Sequence, residues 1–226
     1  MRLHHRRPRR GQRGPGRKSL HAALGLLAFT AASAIGAPAA HADASSDLSL
    51  SGFSDIAVDQ PAGHVFVSQG TGRTGIVTTD LQAGNPQLIA GTAGATGMAV
   101  SPDGGTLYAA VPDSGLILAI DAGTLEVTAQ YSPGSGLTVT SLAVAGGSVW
   151  FGWTSASERG LGSLAPDGTV RTSVWHTSGA FAQVLAGTPT SGAELAVSSS
   201  LGTLDTFQVI DGALYWQGTL QHTDTS

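Results

Sequence analysis

The chain has 226 residues, with 11 Lys and Arg against 15 Asp and Glu, a formal charge of −4 and no cysteine. Eight of the basic residues lie in the first eighteen positions (Arg2, Arg6, Arg7, Arg9, Arg10, Arg13, Arg17, Lys18), so residues 43–226 keep three (Arg73, Arg159, Arg171) against all fifteen acidic ones, a balance of −12 with no lysine. That balance excludes nucleic acid and anionic membrane as partners, since both need clustered Lys or Arg. Without cysteine, the fold must hold by packing alone, and the chain is long enough for a core.

The chain opens with a leader. Its basic start is followed by an apolar run from Leu20 to about Ile35 and by the small-x-small site Ala40-His41-Ala42. This order of regions is that of a secretory signal peptide over residues 1–42, cut between Ala42 and Asp43. A retained membrane anchor fits less well, because the run is shorter than the ~20 residues a spanning helix needs. The arginine pairs suggest the twin-arginine route, but Gly11 and Gln12 follow Arg9-Arg10 where that route prefers apolar residues, which favours general secretion. The protein is therefore expected to be secreted or held at the cell surface.

Residues 43–51 form a polar lead-in, in which Leu48 and Leu50 alternate with Ser49 and Ser51 as a short half-buried strand would. Four units follow, at about 52–91, 94–134, 138–178 and 180–222. The first carries strands at Asp55–Val58, His64–Val67, Gly75–Thr79 and Gln87–Ile89. The second reads Met98 to Tyr108 across two strands and a Ser-Pro-Asp-Gly turn, then Leu116–Asp121 and Val127–Tyr131. The third has Leu142–Val144, Val149–Phe151, Leu161–Leu164 and Val170–Trp175; the fourth has Gln183–Leu185, Glu194–Val197, Thr206–Ile210 and Leu214–Trp216. Ala57, Ala99 and Ala143 recur in the first strand, and Phe66, Tyr108 and Trp150 in the second. Repeats of ~40 to 45 residues with four strands each are the signature of propeller blades, because one such sheet cannot bury both its faces alone. The expected fold is all-β: a propeller of four-stranded blades, with Phe66, Tyr108 and Trp150 in the cores between blades.

The run Ala99-Val100-Ser101-Pro102-Asp103-Gly104, followed by Leu107-Tyr108, resembles the blade signature of the YVTN and lactonase-like β-propellers, which are WD40-like in build. Ala57-Val58-Asp59 through Gly63-His64-Val65-Phe66-Val67 is a looser copy. The resemblance implies a blade architecture and no particular chemistry. Families of this kind usually close with six to eight blades, and four are visible. The chain is therefore expected to be a partial or truncated propeller. A closed four-bladed ring and a dimer of half-rings are the alternatives. An open arc would expose apolar blade faces and favour self-association.

The candidate motifs are weak. Gly70-Thr71-Gly72-Arg73-Thr74-Gly75 matches a dinucleotide-binding glycine pattern, but β-branched residues follow it where a helix should start, so it is an inter-strand loop. No histidine pair has ligand spacing and there is no thiol, so no metal is expected. Asp103-Gly104, Asp167-Gly168 and Asp211-Gly212 are turn chemistry. No serine sits in G-x-S-x-G, so no catalytic residue and no cofactor is assigned. By propeller convention, loops after second strands and before first strands share a face, which would present Phe53, Arg73, Asp113, Trp153, Glu158, Arg159 and Phe181. An exposed aromatic, Trp153, beside charged groups makes that face a candidate recognition patch. The function expected is that of a secreted binding or scaffold module for an extracellular protein, carbohydrate or cell-envelope ligand. The alternative is a lactonase-like hydrolase whose catalytic residues lie in blades outside this sequence.

Overall fold

The computed structural model describes residues 48–177, 183–187, 193–198 and 203–221, all within the unit Ala42–Ser226. The expected leader, its expected cleavage site at Ala42 and Asp43, and Phe181 lie outside the described residues. Sixteen strands form four antiparallel meanders among the described residues. The first sheet contains β1 (Asp55–Asp59), β2 (His64–Ser68), β3 (Ile76–Asp80) and β4 (Gln87–Leu88); the second contains β5 (Met98–Val100), β6 (Thr106–Val111), β7 (Leu116–Asp121) and β8 (Val127–Tyr131). The third contains β9 (Thr138–Ala145), β10 (Ser148–Thr154), β11 (Arg159–Leu164) and β12 (Val170–Thr177); the fourth contains β13 (Gln183–Gly187), β14 (Glu194–Ser198), β15 (Thr203–Ile210) and β16 (Ala213–Gln221). Every strand pairs with the next in its own sheet, so no strand is exchanged between sheets. The expected strand at Leu48–Ser51 is not formed; Leu48 and Leu50 are half-buried beside Val77 and Leu88 on the first sheet.

The sheets stack in chain order. The first strands lie side by side, β1 against β5, β5 against β9 and β9 against β13. The described residues do not close into a ring. The arrangement is compatible with a β-propeller. Three separate cores fill the spaces between neighbours. Phe66 and Ile76 of the first sheet meet Leu107, Leu118 and Ile120 of the second. Ala110 and Ile117 of the second meet Leu142, Val149 and Phe151 of the third. Trp150 and Leu161 of the third meet Leu195, Phe207 and Val209 of the fourth. This explains the strand sequences. The middle sheets are covered on both faces, so β6 (TLYAAV) and β7 (LILAID) are apolar almost throughout. The first sheet is covered on one face, so β1 alternates: Ala57 and Asp59 turn inward, while Ile56 and Val58 stay exposed. Phe66, Tyr108 and Trp150 each point toward the next sheet, as their spacing predicts. Phe66 and Trp150 are fully buried, whereas Tyr108 is only half-buried.

The turns bear out their aspartates. Gly104, Gly168 and Gly212 take φ of 73°, 86° and 72°, a left-handed conformation that glycine adopts without steric cost. Four turn carboxyls are held below their ordinary value of 3.8: Asp80 chiefly by the Gly84 N–H, Asp103 by the Ser101 hydroxyl, Asp121 by the Thr124 N–H and Asp167 by the Thr169 N–H. A carboxyl with a lowered folded-state value stabilises the fold fully above its unfolded value, and that contribution is lost as pH falls through the lowered one. Urea midpoints should therefore be flat from pH 7 to about 5 and fall below about 4. Asp121→Asn should flatten part of that acid limb. An acid limb unchanged in Asn variants of all four residues would show that these turns do not carry it.

Candidate functional site

The site is built where the first three sheets begin, at the start of β1, β5 and β9. Ser54, Thr96 and Thr140 precede the recurring Ala57, Ala99 and Ala143 by the same three positions, so the repeat delivers one hydroxyl from each of the first three sheets to the same cavity. Asp55, Gly97 and Ser141 occupy the next position. Together with Thr71, Met98 and Leu142 they line a cavity of about 590 Å³, within the size range of small-molecule sites.

The backbone fixes these groups. The Met98 N–H donates to Asp55 Oδ2 at 2.7 Å and the Ile56 N–H to Asp55 Oδ1 at 2.8 Å, so one carboxylate ties the first sheet to the second. Between the second and third sheets a bulge does this work. The β9–β10 register passes from Gly152↔Ser141 to Trp153↔Val139 and skips Thr140. A skipped residue leaves its ladder and can turn its carbonyl elsewhere. The Thr140 carbonyl accepts from the Gly97 N–H at 2.9 Å and from the Thr96 hydroxyl at 3.2 Å. The Ser68 hydroxyl also donates to the Thr96 carbonyl. The Thr140 side chain is exposed and its hydroxyl makes no hydrogen bond among the described residues, which leaves it available to a ligand.

The rim comes from the Gly70–Gly75 run, which is a loop between β2 and β3, as its sequence predicts. Its Gly70 N–H donates to the Ala95 carbonyl at 2.9 Å, the Arg73 carbonyl accepts from the Gly94 N–H at 3.0 Å, and the Gly72 N–H donates to Asp113 Oδ2 at 3.3 Å. Gln69 Oε1 accepts from both the N–H and the hydroxyl of Ser51. The structure thus brings the loops of Arg73 and Asp113 together, both exposed; Phe53 is also exposed (66%).

Trp153 is a correction. It is 3% exposed, not a surface aromatic. β10 runs on through Thr154, so Trp153 is a strand residue two positions after Phe151 and shares its buried face in the core between the second and third sheets. Gly160 lies opposite it, where a Cβ would come within 2.8 Å of the indole, so the ring is packed over a bare glycine. Glu158 is exposed and Arg159 half-buried at the hairpin that follows. The Ser155 hydroxyl accepts the Glu158 N–H at 2.9 Å, a local turn bond that leaves Glu158's carboxylate at the surface. Sequence reasoning missed Ser54, Asp55, Thr96, Thr140 and Ser141; the hydroxyl recurring at the period of the alanines was the available signal. Among the described residues, no group of three His, Cys, Asp or Glu could hold a metal ion.

No protein-family model matches the chain, and no curated protein matches it. Among solved structures it is similar to hydrazine synthase from Kuenenia stuttgartiensis, with a TM-score of 0.57 and 12% sequence identity over 78% of this chain. The match spans about half (51%) of the length of that chain. At this identity the likeness is one of fold alone.

Proposed function

We propose that residues 43–226 form an extracellular binding module of the YVTN/lactonase-like propeller type, and that the cavity at the start of β1, β5 and β9 takes a polyhydroxylated ligand such as a cell-envelope carbohydrate. The observation that supports this most is the lining itself. The lining carries hydroxyl-bearing residues from three sheets, Ser54, Thr96, Thr140 and Ser141, and one carboxylate, Asp55, and the exposed Phe53 precedes Ser54 in the chain. Sugars present alternating hydroxyl donors and acceptors together with an apolar ring face, which such a lining matches. The cavity holds one carboxylate, Asp55, both of whose oxygens already accept backbone N–H groups, so the arrangement offers recognition rather than acid–base chemistry.

Titration with neutral mono- and disaccharides, followed by amide chemical shifts, tests the reading. Saturable shifts are expected at Asp55, Gly97 and Ser141. Thr140→Ala should weaken the binding by about three- to tenfold without moving the melting temperature, since that hydroxyl supports nothing in the fold. Saturable shifts located elsewhere, or none for any sugar of the panel, would refute a carbohydrate cavity.

A further inference from the structure

The seams between sheets differ at the end of the stack opposite this cavity. Between the first and second sheets the seam is filled: a Cβ on Gly104 would come within 2.6 Å of Asp59 Oδ1 and 3.0 Å of Pro61. Between the third and fourth it is filled again, with Val209 within 2.6 Å of the same point on Gly146. Between the second and third it is open. The turn that follows β9 is Gly146-Gly147 where the second sheet has Pro102-Asp103, and nothing lies within 4 Å of a Cβ on Gly147. The result is a cleft of about 330 Å³. It also explains why Tyr108, alone of the three recurring aromatics, is not fully buried.

The lining has two parts. Tyr108, Pro102, Pro166, Val149 and Leu164 supply apolar and aromatic walls, and Asp103 supplies a carboxylate. Asp103 Oδ1 accepts both the Ser101 hydroxyl and the Gly105 N–H, the latter at 3.1 Å, which fixes the carboxylate and leaves Oδ2 to a partner. These bonds keep it ionised at neutral pH, while burial pushes the Tyr108 phenol up and keeps it neutral.

We propose that this cleft binds a basic side chain of a partner protein: an ammonium or guanidinium head on Asp103, with its methylene stem against Tyr108 and the two prolines. A long cationic side chain is apolar along its stem and charged at its tip, which is the pattern of the lining. A cation beside a carboxylate and an aromatic ring gains from both. Charge argues for an outside partner. Residues 43–226 carry a balance of −12, with no lysine and three arginines against fifteen acidic residues, so another copy of this chain is repelled overall while a basic protein is drawn to the cleft.

The test uses the secreted protein with Nα-acetyl-lysine methylamide, its arginine counterpart and the uncharged norleucine counterpart as probes. Lysine or arginine probes should give saturable amide shifts confined to Ser101–Thr106, Gly147 and Ala165, with dissociation constants of roughly 1–10 mM, as for single side chains. The norleucine probe should bind about tenfold more weakly. Asp103→Asn should cost about the same factor. Because Asp103 also holds its turn, Asp103→Glu and the cleft-filling Ala165→Phe are the companions: the first should retain binding and the second abolish it. A lysine-containing peptide should bind more tightly than free hexylamine if the source is a protein; the reverse order would overturn the protein partner. Equal binding of the norleucine probe, or unchanged binding by Ala165→Phe, would overturn the site.

Discussion

Replacing Trp150 with alanine is expected to destabilise the chain by about 3–5 kcal/mol, against a total stability of about 5–15 kcal/mol for a domain. Trp150 is fully buried and is the largest side chain in the core between the third and fourth sheets. It stands on β10 between Ala143 and Ser163, small neighbours that cannot expand into the space its ring leaves. The loss has a second part. The indole N–H donates to the Ala145 carbonyl at 3.0 Å in a buried setting, and its removal takes that partner away. Trp150→Phe separates the two parts: most of the volume stays and the bond goes, for a cost of about 1–2 kcal/mol. The damage should also be local. Stacked units are stabilised by their neighbours, and the fourth sheet meets the third through this core, where Trp175 and Phe207 also pack edge to face at 5.3 Å. Hydrogen exchange should therefore accelerate most in β13–β16 and least in β1–β8. An unfolding free energy from urea titration for Trp150→Ala within about 1 kcal/mol of the parent would mean that this core does not hold the two sheets together.

The parts of this structure that follow from local chemistry were legible in the sequence. Strand positions follow from short apolar runs, and turns from Asp-Gly pairs whose glycines do take positive φ. The period follows from Ala57, Ala99 and Ala143, which stand in the first strand of each of the first three sheets opposite the recurring Phe66, Tyr108 and Trp150. The face of Trp153 was misjudged because the end of β10 was placed too early; strand ends are set by ladder partners, here Gly160 and Val139, that lie far off in sequence. The cavity was missed for a related reason. Its key carbonyl, that of Thr140, is turned toward β5 by a bulge, and a bulge is a mismatch between two strands that neither strand reveals alone. The hydroxyl-bearing Ser54, Thr96 and Thr140 are unremarkable as individual residues in a Ser- and Thr-rich chain. Their meaning comes from the period, which places them at the same cavity. The open seam at Gly147 could not be read at all, since it depends on what the neighbouring sheet fails to place there.

Gly97→Ala should cost about 3 kcal/mol and remove ligand binding in the cavity, although it adds a single methyl group. Gly97 does not have a positive φ, so its backbone conformation is open to alanine, and only space opposes the change. An added Cβ would lie 2.5 Å from the Thr140 carbonyl oxygen, 2.7 Å from Ser141 Cα and 3.1 Å from the Leu142 nitrogen. All three are backbone atoms of β9, and no rotamer change can move them. β5 and β9 must therefore separate, and the separation acts on the bonds that join them, from the Gly97 N–H and the Thr96 hydroxyl to the Thr140 carbonyl. Those groups shape the cavity, so its geometry fails together with the contact between the sheets. Gly218→Ala is the control: Gly218 has no atom within 4 Å of its Cβ position and no positive φ, and the change should alter stability by no more than about 0.5 kcal/mol. A Gly97→Ala chain with parental stability and intact saccharide shifts would show that β5 and β9 can part without loss, and that the close approach of the first strands does not build the site. A chain that melts early but still binds would separate the two, placing recognition on the exposed loops of Arg73 and Asp113 rather than in the cavity.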